Sequence, residues 1–175
     1  MKKAKRAKKQ HYVDNERFCQ EMVKYRDSVL LSKEENSNRP IMPDYIGECF
    51  IKIATHLSYK PNFINYTFRD DMISDGIENC IQYVDNFDPS KSKNPFAYFT
   101  QIIYYAFLRR IQKEKKQLYI KYKSMERAGI FNELVDIQGQ DTRKNVQDVT
   151  LYANMYEFVE NFEQAKNKKK KPKAK

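Results

Sequence analysis

The stretch KNPFAYFTQIIYYAFLRRIQKEKKQLYIKYK, residues 93–123, is the most informative part of this 175-residue chain. Apolar side chains recur along it every three or four residues, which predicts an amphipathic helix. Asn94 followed by Pro95 is typical of a helix start, because the Asn side chain can cap free backbone N–H groups and proline already has a helical φ. We expect the helix to extend to about Arg110 and to continue toward Lys123. Its predicted core-facing residues are Phe96, Phe99, Ile103, Ala106 or Phe107, and Ile111.

This segment is also strongly basic and aromatic. It holds eight Lys and Arg, one acid and eight aromatic residues, a net charge of +7. The whole chain carries +10, but 13 of its 33 cations lie in residues 1–10 and 166–175. Residues 11–165 hold 20 Lys and Arg against 23 Asp and Glu, so the part of that range outside 93–123 carries −10. A basic aromatic helix on an acidic remainder suits a protein with a polyanionic partner.

Four further helical patterns flank the segment, and together they predict an all-α fold. Periodic apolar residues predict helices over 15–31, 43–57, 67–87 and 146–162. Between 124 and 145 the pattern weakens, with Gly129 and Gly139 as predicted interruptions. We expect a compact helical domain over 13–145, an amphipathic helix over 146–163 and disordered basic tails at 1–12 and 164–175.

The sequence holds no motif that is typical of catalysis or metal binding. His11 and His56 have no Cys, His or carboxylate at metal-ligand spacing, and neither a phosphate-binding loop nor a nucleophile motif occurs. Asp71, Asp75 and Glu78 could be imagined as the metal site of a nuclease, but such a row on a helix is far more often a solvated face. We therefore expect no enzyme activity, no metal and no cofactor.

The cysteines and the apolar runs indicate the compartment. Cys19, Cys49 and Cys80 are odd in number and widely spaced, which predicts reduced core residues in a cytoplasmic protein. The longest apolar run, 102–108, has seven residues and is too short to span a bilayer. No apolar segment follows the basic N-terminus, so we expect neither a secretory signal nor a membrane partner.

One candidate binding face lies on the helix of the basic aromatic segment. Residues at positions i, i+3, i+7, i+11 and i+14 share it: Tyr98, Gln101, Tyr105, Arg109 and Gln112. Tyrosine rings beside cations suit single-stranded nucleic acid, because bases stack on the rings and cations track the phosphates. Alternatively, the tyrosines pack against neighbouring helices and the charges are only solvated.

The other candidate face is acidic and lies on the helix predicted over 67–87. Asp71, Ser74, Asp75 and Glu78 share it, and Ile77 and Ile81 border it. The simpler interpretation is a solvated surface. The functional one is a docking surface for a partner with basic side chains, since complementary charge speeds encounter and fixes register.

Three short motifs on these two helices resemble region two of bacterial primary sigma factors. They are DMISDG at 71–76, VDNFDP at 84–89 and FAYFT at 96–100. In that family a D-L-I-Q-E-G-like run is followed by V-D-K-F-D and F-S-T-Y-A-T, at the same spacing. The resemblance covers about 70–116. Within the class, the strings at 75–78, 86–88, 93–101 and 110–114 are similar to the late-transcription sigma factor of T-even-type bacteriophages.

The resemblance implies a role for each face. The acidic face would dock on the clamp helices of the largest subunit of host core RNA polymerase through Asp71, Ser74, Asp75, Ile77, Glu78 and Ile81. The basic aromatic helix would capture the melted non-template strand of AT-rich minus-ten elements in phage late promoters. The residues implied for this DNA contact are Lys93, Tyr98, Gln101, Tyr104, Tyr105, Arg109 and Lys113. The implied location is the cytoplasm of the infected bacterial host.

Two departures from the family matter. Primary sigma factors carry a Trp pair where this chain has Gln101 and Ile102, and it has no Trp at all. Tyr98 with Tyr104 or Tyr105 could substitute for that pair. No downstream helix-turn-helix is evident either, so help from a late co-activator and a sliding clamp is implied. The segment implied for clamp binding contains Tyr156, Phe158, Val159 and Phe162, which could instead belong to a helix packed on the core. The alternative function is a small structural nucleic-acid-binding protein without sequence preference.

Overall fold

The computed structural model describes residues 11–129 and 145–170, and all regular secondary structure in these ranges is helical. Side chains are described over 11–129 and 153–167. The α-helices are α1 Asn15–Glu34, α2 Asp44–Ser58, α3 Arg69–Gln82, α4 Pro95–Arg127 and α5 Asn145–Lys170. A single 3₁₀ turn, Val84–Asn86, follows α3 in this part of the chain. The predicted all-α class is confirmed.

Three helix ends differ from the sequence prediction. α3 stops at Gln82 because the chain tightens into the 3₁₀ turn, where the Phe87 N–H donates to the Val84 carbonyl at 3.3 Å. α4 is continuous to Arg127. α5 continues past 163 to Lys170, so residues 164–170, predicted as the start of a tail, are helical. Gln, Ala and Lys make up six of the seven residues of that extension, and all favour helix. The tail residues 1–10 and 171–175 and the weak segment 130–144 lie outside the described residues.

The chain divides into two compact units, and the boundary lies inside α4. The first unit ends at Arg110 and the second begins at Ile111. The helical domain that we predicted over 13–145 crosses this boundary. Helical periodicity continues across the boundary, so it gives no sign of a change in tertiary contacts there.

Aromatic rings from three helices form the core of the first unit. Phe18 of α1, Phe50 of α2 and Phe99 of α4 are completely buried, and the Phe50 and Phe99 ring centroids lie 4.6 Å apart. Ile103 and Phe107 extend this core along α4, as the apolar stripe predicts. The remaining predicted core residues of α4 are buried too, except Phe96, which is half-buried.

Two asparagines cap the start of α4. The Asn94 Oδ1 accepts the Ala97 N–H at 3.0 Å, which confirms the predicted cap. Asn15 of α1 adds a second cap, because its Oδ1 accepts the Phe96 N–H at 3.2 Å. The backbone donors at this end are thus satisfied by side chains, and the cap ties α4 to α1.

Gly76 allows α3 to approach α4 closely. A Cβ atom at Gly76 would lie 3.0 Å from Ile103 Cγ2 and 3.1 Å from Phe107 Cε1. These distances are shorter than ordinary van der Waals contact, so a side chain here would press on two core residues. The glycine therefore sets the spacing between the two helices that carry the candidate faces.

In the second unit, α5 packs along the later part of α4 through aromatic pairs. Tyr119 stacks on Phe162 with ring centroids 4.5 Å apart, and Tyr122 meets the edge of Phe158 at 5.7 Å. The Tyr119 hydroxyl donates to Glu163 Oε1 at 2.8 Å. Aromatic contacts, this hydrogen bond and an ion pair between Lys123 and Glu163 at 3.5 Å hold the two helices together.

Candidate nucleic-acid interface

Most of the acidic face on α3 is exposed. Asp71, Ser74, Glu78 and Ile81 are exposed, whereas Asp75 and Ile77 are half-buried. Met72, Gly76 and Cys80 form the buried side of the same helix. The structure thus places all six predicted polymerase-binding residues on one helix, on or beside its solvent side.

Arg110 of α4 occupies part of this acidic face. Its Nη2 lies 3.0 Å from Asp71 Oδ1, and its Nε lies 3.5 Å from Asp75 Oδ2. The Arg110 side chain is only 15% exposed, so this ion pair is better shielded than most surface pairs. Two of the three predicted docking carboxylates therefore already have a cationic partner within the chain, which the sequence analysis missed. The i, i+4 spacing of Asp71 and Asp75 was the available signal.

Of the three carboxylates on the acidic face, Glu78 is the one without an ion pair among the described residues. It is exposed. Ile81, one turn later, leaves 48% of its surface exposed. Together they form a small exposed patch with one charge and one apolar group.

On α4, the most exposed rings are those of two neighbouring tyrosines. Tyr105 is 50% exposed and Tyr104 is 37% exposed. Tyr104 packs its edge against the buried Phe63 at 5.6 Å, and its ring centroid lies 5.8 Å from that of Tyr105. Gln101, one turn earlier, is exposed as well. The first unit therefore presents two supported rings beside an amide group.

Tyr98 is more engaged in packing than the sequence suggests. It is half-buried, with ring centroids 5.4 Å from Phe87 and 5.0 Å from Phe99. This burial raises the pKa of the Tyr98 hydroxyl. The periodicity of α4 could not reveal this contact, because Phe87 lies outside the helix.

The predicted phosphate contacts differ in their surroundings. Arg109 is exposed, but its Nη2 donates to Asn79 Oδ1 of α3 at 2.6 Å. Lys93, just before α4, is exposed. Lys113 is exposed too, but belongs to the second unit. The first unit thus holds six of the seven predicted DNA contacts, and Asn79 is an additional polar group that we did not predict.

The segment predicted to bind a sliding clamp is largely used within the second unit. Phe158 and Phe162 make the aromatic contacts to α4 described above, and Val159 is buried. Tyr156 is the most exposed of the four predicted residues, at 48%. The geometry therefore favours the packing interpretation for the other three.

The histidines and cysteines fit structural roles. His56 stacks on the Tyr12 ring with centroids 3.8 Å apart, and His11 stacks on the same ring at 4.7 Å. Among the described residues, no group of three or more His, Cys, Asp or Glu could hold a metal ion. All three cysteines are free thiols; Cys80 is buried, which raises its pKa to about 12.

Comparison with protein-family models and with curated proteins finds no match to this chain. Within the described residues, no helix combines the length and apolar character that crossing a bilayer requires. The acidic face of α3 and the exposed tyrosines of α4 are the two candidate binding features of the first unit.

Proposed function

We propose that this protein is a non-catalytic, sigma-like promoter-specificity factor. It binds host core RNA polymerase and directs it to AT-rich minus-ten elements of phage late promoters, in the cytoplasm of the infected host. The observation that carries the proposal is the joint placement of an exposed acidic patch and an exposed tyrosine pair on two packed helices of one unit. The three motifs in sigma-like register, at 71–76, 84–89 and 96–100, support it independently.

Docking on polymerase would start at Glu78 and Ile81. A basic partner meets an unneutralised carboxylate there, next to an apolar side chain that gains by burial. Asp71 still has 58% of its side chain exposed and can share its second oxygen with the partner. The Arg110 pair keeps both aspartates in a fixed orientation, so that the surface is ordered before binding.

Strand capture would use Tyr105 and Tyr104 in place of the missing Trp pair. An unpaired base stacked on an exposed tyrosine gains about 1–3 kcal/mol. Gln101 offers an amide that can donate to and accept from a base edge. Lys93 and Arg109 add positive charge for the phosphates, and the backing of Tyr104 by Phe63 holds its ring in place.

The docking step is tested by charge reversal at Glu78. We expect Glu78→Lys to weaken binding of the full chain to purified bacterial core RNA polymerase by at least about tenfold, through loss of an attraction and gain of a repulsion. Glu34→Lys, at the end of α1, makes the same change in net charge on an exposed site and is the control. Equal affinities for the two variants would contradict the docking surface.

The strand-capture step is tested by promoter opening. With core polymerase and a library of AT-rich promoters, Tyr105→Ala should reduce open-complex formation by about 10–100-fold, the equivalent of one lost stacking contact. Tyr59→Ala is the matched control, because Tyr59 is 53% exposed but lies at the end of α2. If substitutions at Tyr105 and Gln101 leave start-site selection unchanged, this face of α4 does not capture the strand.

The competing proposal is a structural nucleic-acid-binding protein without sequence preference. The observation that favours it is the concentration of 13 of the 33 cations in residues 1–10 and 166–175. It predicts binding to any DNA and no stable complex with core polymerase.

The proposed late co-activator and sliding clamp would each add to promoter output only if the sigma-like function holds. Tyr156 is the first residue to substitute in a test of the clamp contact.

A further inference from the structure

A lysine-lined cleft lies between α4 and α5 in the second unit. Its volume is about 440 Å³. The residues that line it are Gln112, Lys115, Lys116, Phe162, Ala165 and Lys166. Three of the six are lysines and none is acidic. Lys166 takes part only because α5 continues beyond the point where the sequence pattern predicts its end.

Two of the three lysines, Lys115 and Lys116, have little neutralising charge around them. Neither Lys115 nor Lys116 has a carboxylate three or four residues away along α4, where side chains on a helix meet. None of the three forms an ion pair with the described residues. Glu163 lies three residues before Lys166 on α5, and its pKa is lowered chiefly by the Tyr119 hydroxyl, which donates to it at 2.8 Å, and then by the charges of Lys123, at 3.5 Å, and Lys166.

The aromatic ring in the cleft is not available for stacking on a base. Phe162 is stacked on Tyr119 with an angle of 18° between the rings. The cleft thus presents positive charge without an open ring, unlike the Tyr104–Tyr105 pair of the first unit. Unstacked bases gain most from open rings, whereas a duplex presents only its phosphates to such a surface.

We infer that this cleft binds the phosphodiester backbone of duplex DNA without regard to sequence. Cations on two helices meet phosphates there, and the rings behind them only hold the helices together. Three further lysines, Lys168, Lys169 and Lys170, belong to the last turn of α5. The inference goes beyond the proposed promoter function and does not depend on it, because it involves neither polymerase nor promoter sequence.

The test is a salt titration of DNA binding by the full chain. The probe is a labelled 30-base-pair duplex of random sequence, and the variant is Lys115→Gln, Lys116→Gln and Lys166→Gln together. The slope of log K against log salt is negative, and each lost phosphate contact makes it less negative by about 0.9, so three lost contacts should bring it about 2.7 closer to zero. Affinity near 0.1 M salt should fall by roughly 10–100-fold.

The control removes the same charge elsewhere, through Lys33→Gln, Lys60→Gln and Lys121→Gln. All three are exposed, and Lys121 lies outside the cleft on α4. The matching Lys→Arg triple variant of the cleft keeps the charge and should bind like the parent chain. A slope change no larger than that of the control would overturn the inference. So would a larger loss on a single strand of the same length than on the duplex.

Discussion

The two parts of α4 differ in composition and in surroundings. Residues 95–110 hold six aromatic residues and two arginines, whereas residues 111–127 hold two tyrosines and six Lys and Arg. Up to Arg110 the helix packs in the first unit, where Phe99 is completely buried and Tyr105 stays half exposed. From Ile111 onward it pairs with α5, and Tyr119 and Tyr122 are used in that pairing. A ring beside cations can stack on a base only where the neighbouring helices leave it open. Composition therefore identifies a basic aromatic helix, and packing decides which part of it can take bases.

The largest difference between the two parts should appear in stability. Phe99→Ala removes a ring that contacts Phe18, Phe50 and Phe87, and we expect a loss of about 3–5 kcal/mol in the free energy of unfolding. Phe162→Ala opens no enclosed cavity, because Phe162 is only half-buried, so the loss should be smaller. Urea unfolding followed by circular dichroism measures both.

The control for the core substitution is Phe99→Leu. It keeps most of the buried apolar volume and should cost well under half as much as the alanine variant. If Phe99→Ala and Phe162→Ala lowered stability equally, the contrast between a multi-helix core and a helix pair would be wrong.

The next difference concerns single-stranded DNA. Tyr105→Ala should weaken binding of an oligonucleotide by about 1–3 kcal/mol, whereas Tyr119→Ala should leave the affinity unchanged. Tyr119 is stacked on Phe162 and donates to Glu163, so its loss should instead lower the melting temperature. Fluorescence anisotropy and thermal melting separate the two effects. A loss of affinity in Tyr119→Ala without a loss of stability would mean that its ring is open to bases.

A smaller effect should distinguish the close approach at Gly76 from an open glycine. Gly→Ala inside a helix gains up to about 1 kcal/mol from propensity. At Gly47 the nearest atom to a new Cβ is 3.9 Å away, so Gly47→Ala should be stabilising. At Gly76 the contacts of 3.0 and 3.1 Å oppose the gain, and overpacking of about 1–3 kcal/mol should make the variant net destabilising. Equal effects at both sites would show that α3 and α4 are farther apart.

The sequence predicted the local features of α4 well. Its start at Asn94-Pro95 and its buried face follow from capping and from the 3.6-residue period, which depend on near neighbours only. For the Arg110 pair, the i, i+4 spacing of Asp71 and Asp75 was the one local signal, and it did not identify the partner, because that depends on the register in which α3 meets α4. The same holds for Tyr98 on Phe87, where a ring from outside the helix decides the burial.

The candidate site residues followed the same division. Which residues are charged or aromatic is fixed by the sequence, but which of them remain exposed depends on tertiary contacts. Arg109 is the instructive example, since its hydrogen bond to Asn79 of α3 competes with the predicted phosphate contact. Lys166 is the opposite case, because the extension of α5 brings a residue assigned to a tail into a structured cleft.

The smallest expected effect is a pH dependence that belongs to the first unit. Asp88, in the turn before α4, accepts from Arg26 Nη1 at 2.5 Å and from Ser90, and these bonds, chiefly the one from Arg26, lower its pKa from 3.8 to about 2. A carboxyl whose pKa is lower in the folded than in the unfolded state stabilises the fold at any pH above its unfolded-state pKa. That contribution is lost as the pH falls toward the folded-state pKa. Stability should therefore decline between about pH 4 and pH 2. Arg26→Met should flatten this part of the profile, and Lys24→Met, which removes an exposed partner of Glu21, should not. A profile that stays unchanged in Arg26→Met would mean that the acid-sensitive groups lie elsewhere. The next residue to substitute would then be Glu163 in the second unit, because the pKa of its carboxyl is also lowered, chiefly by the Tyr119 hydroxyl.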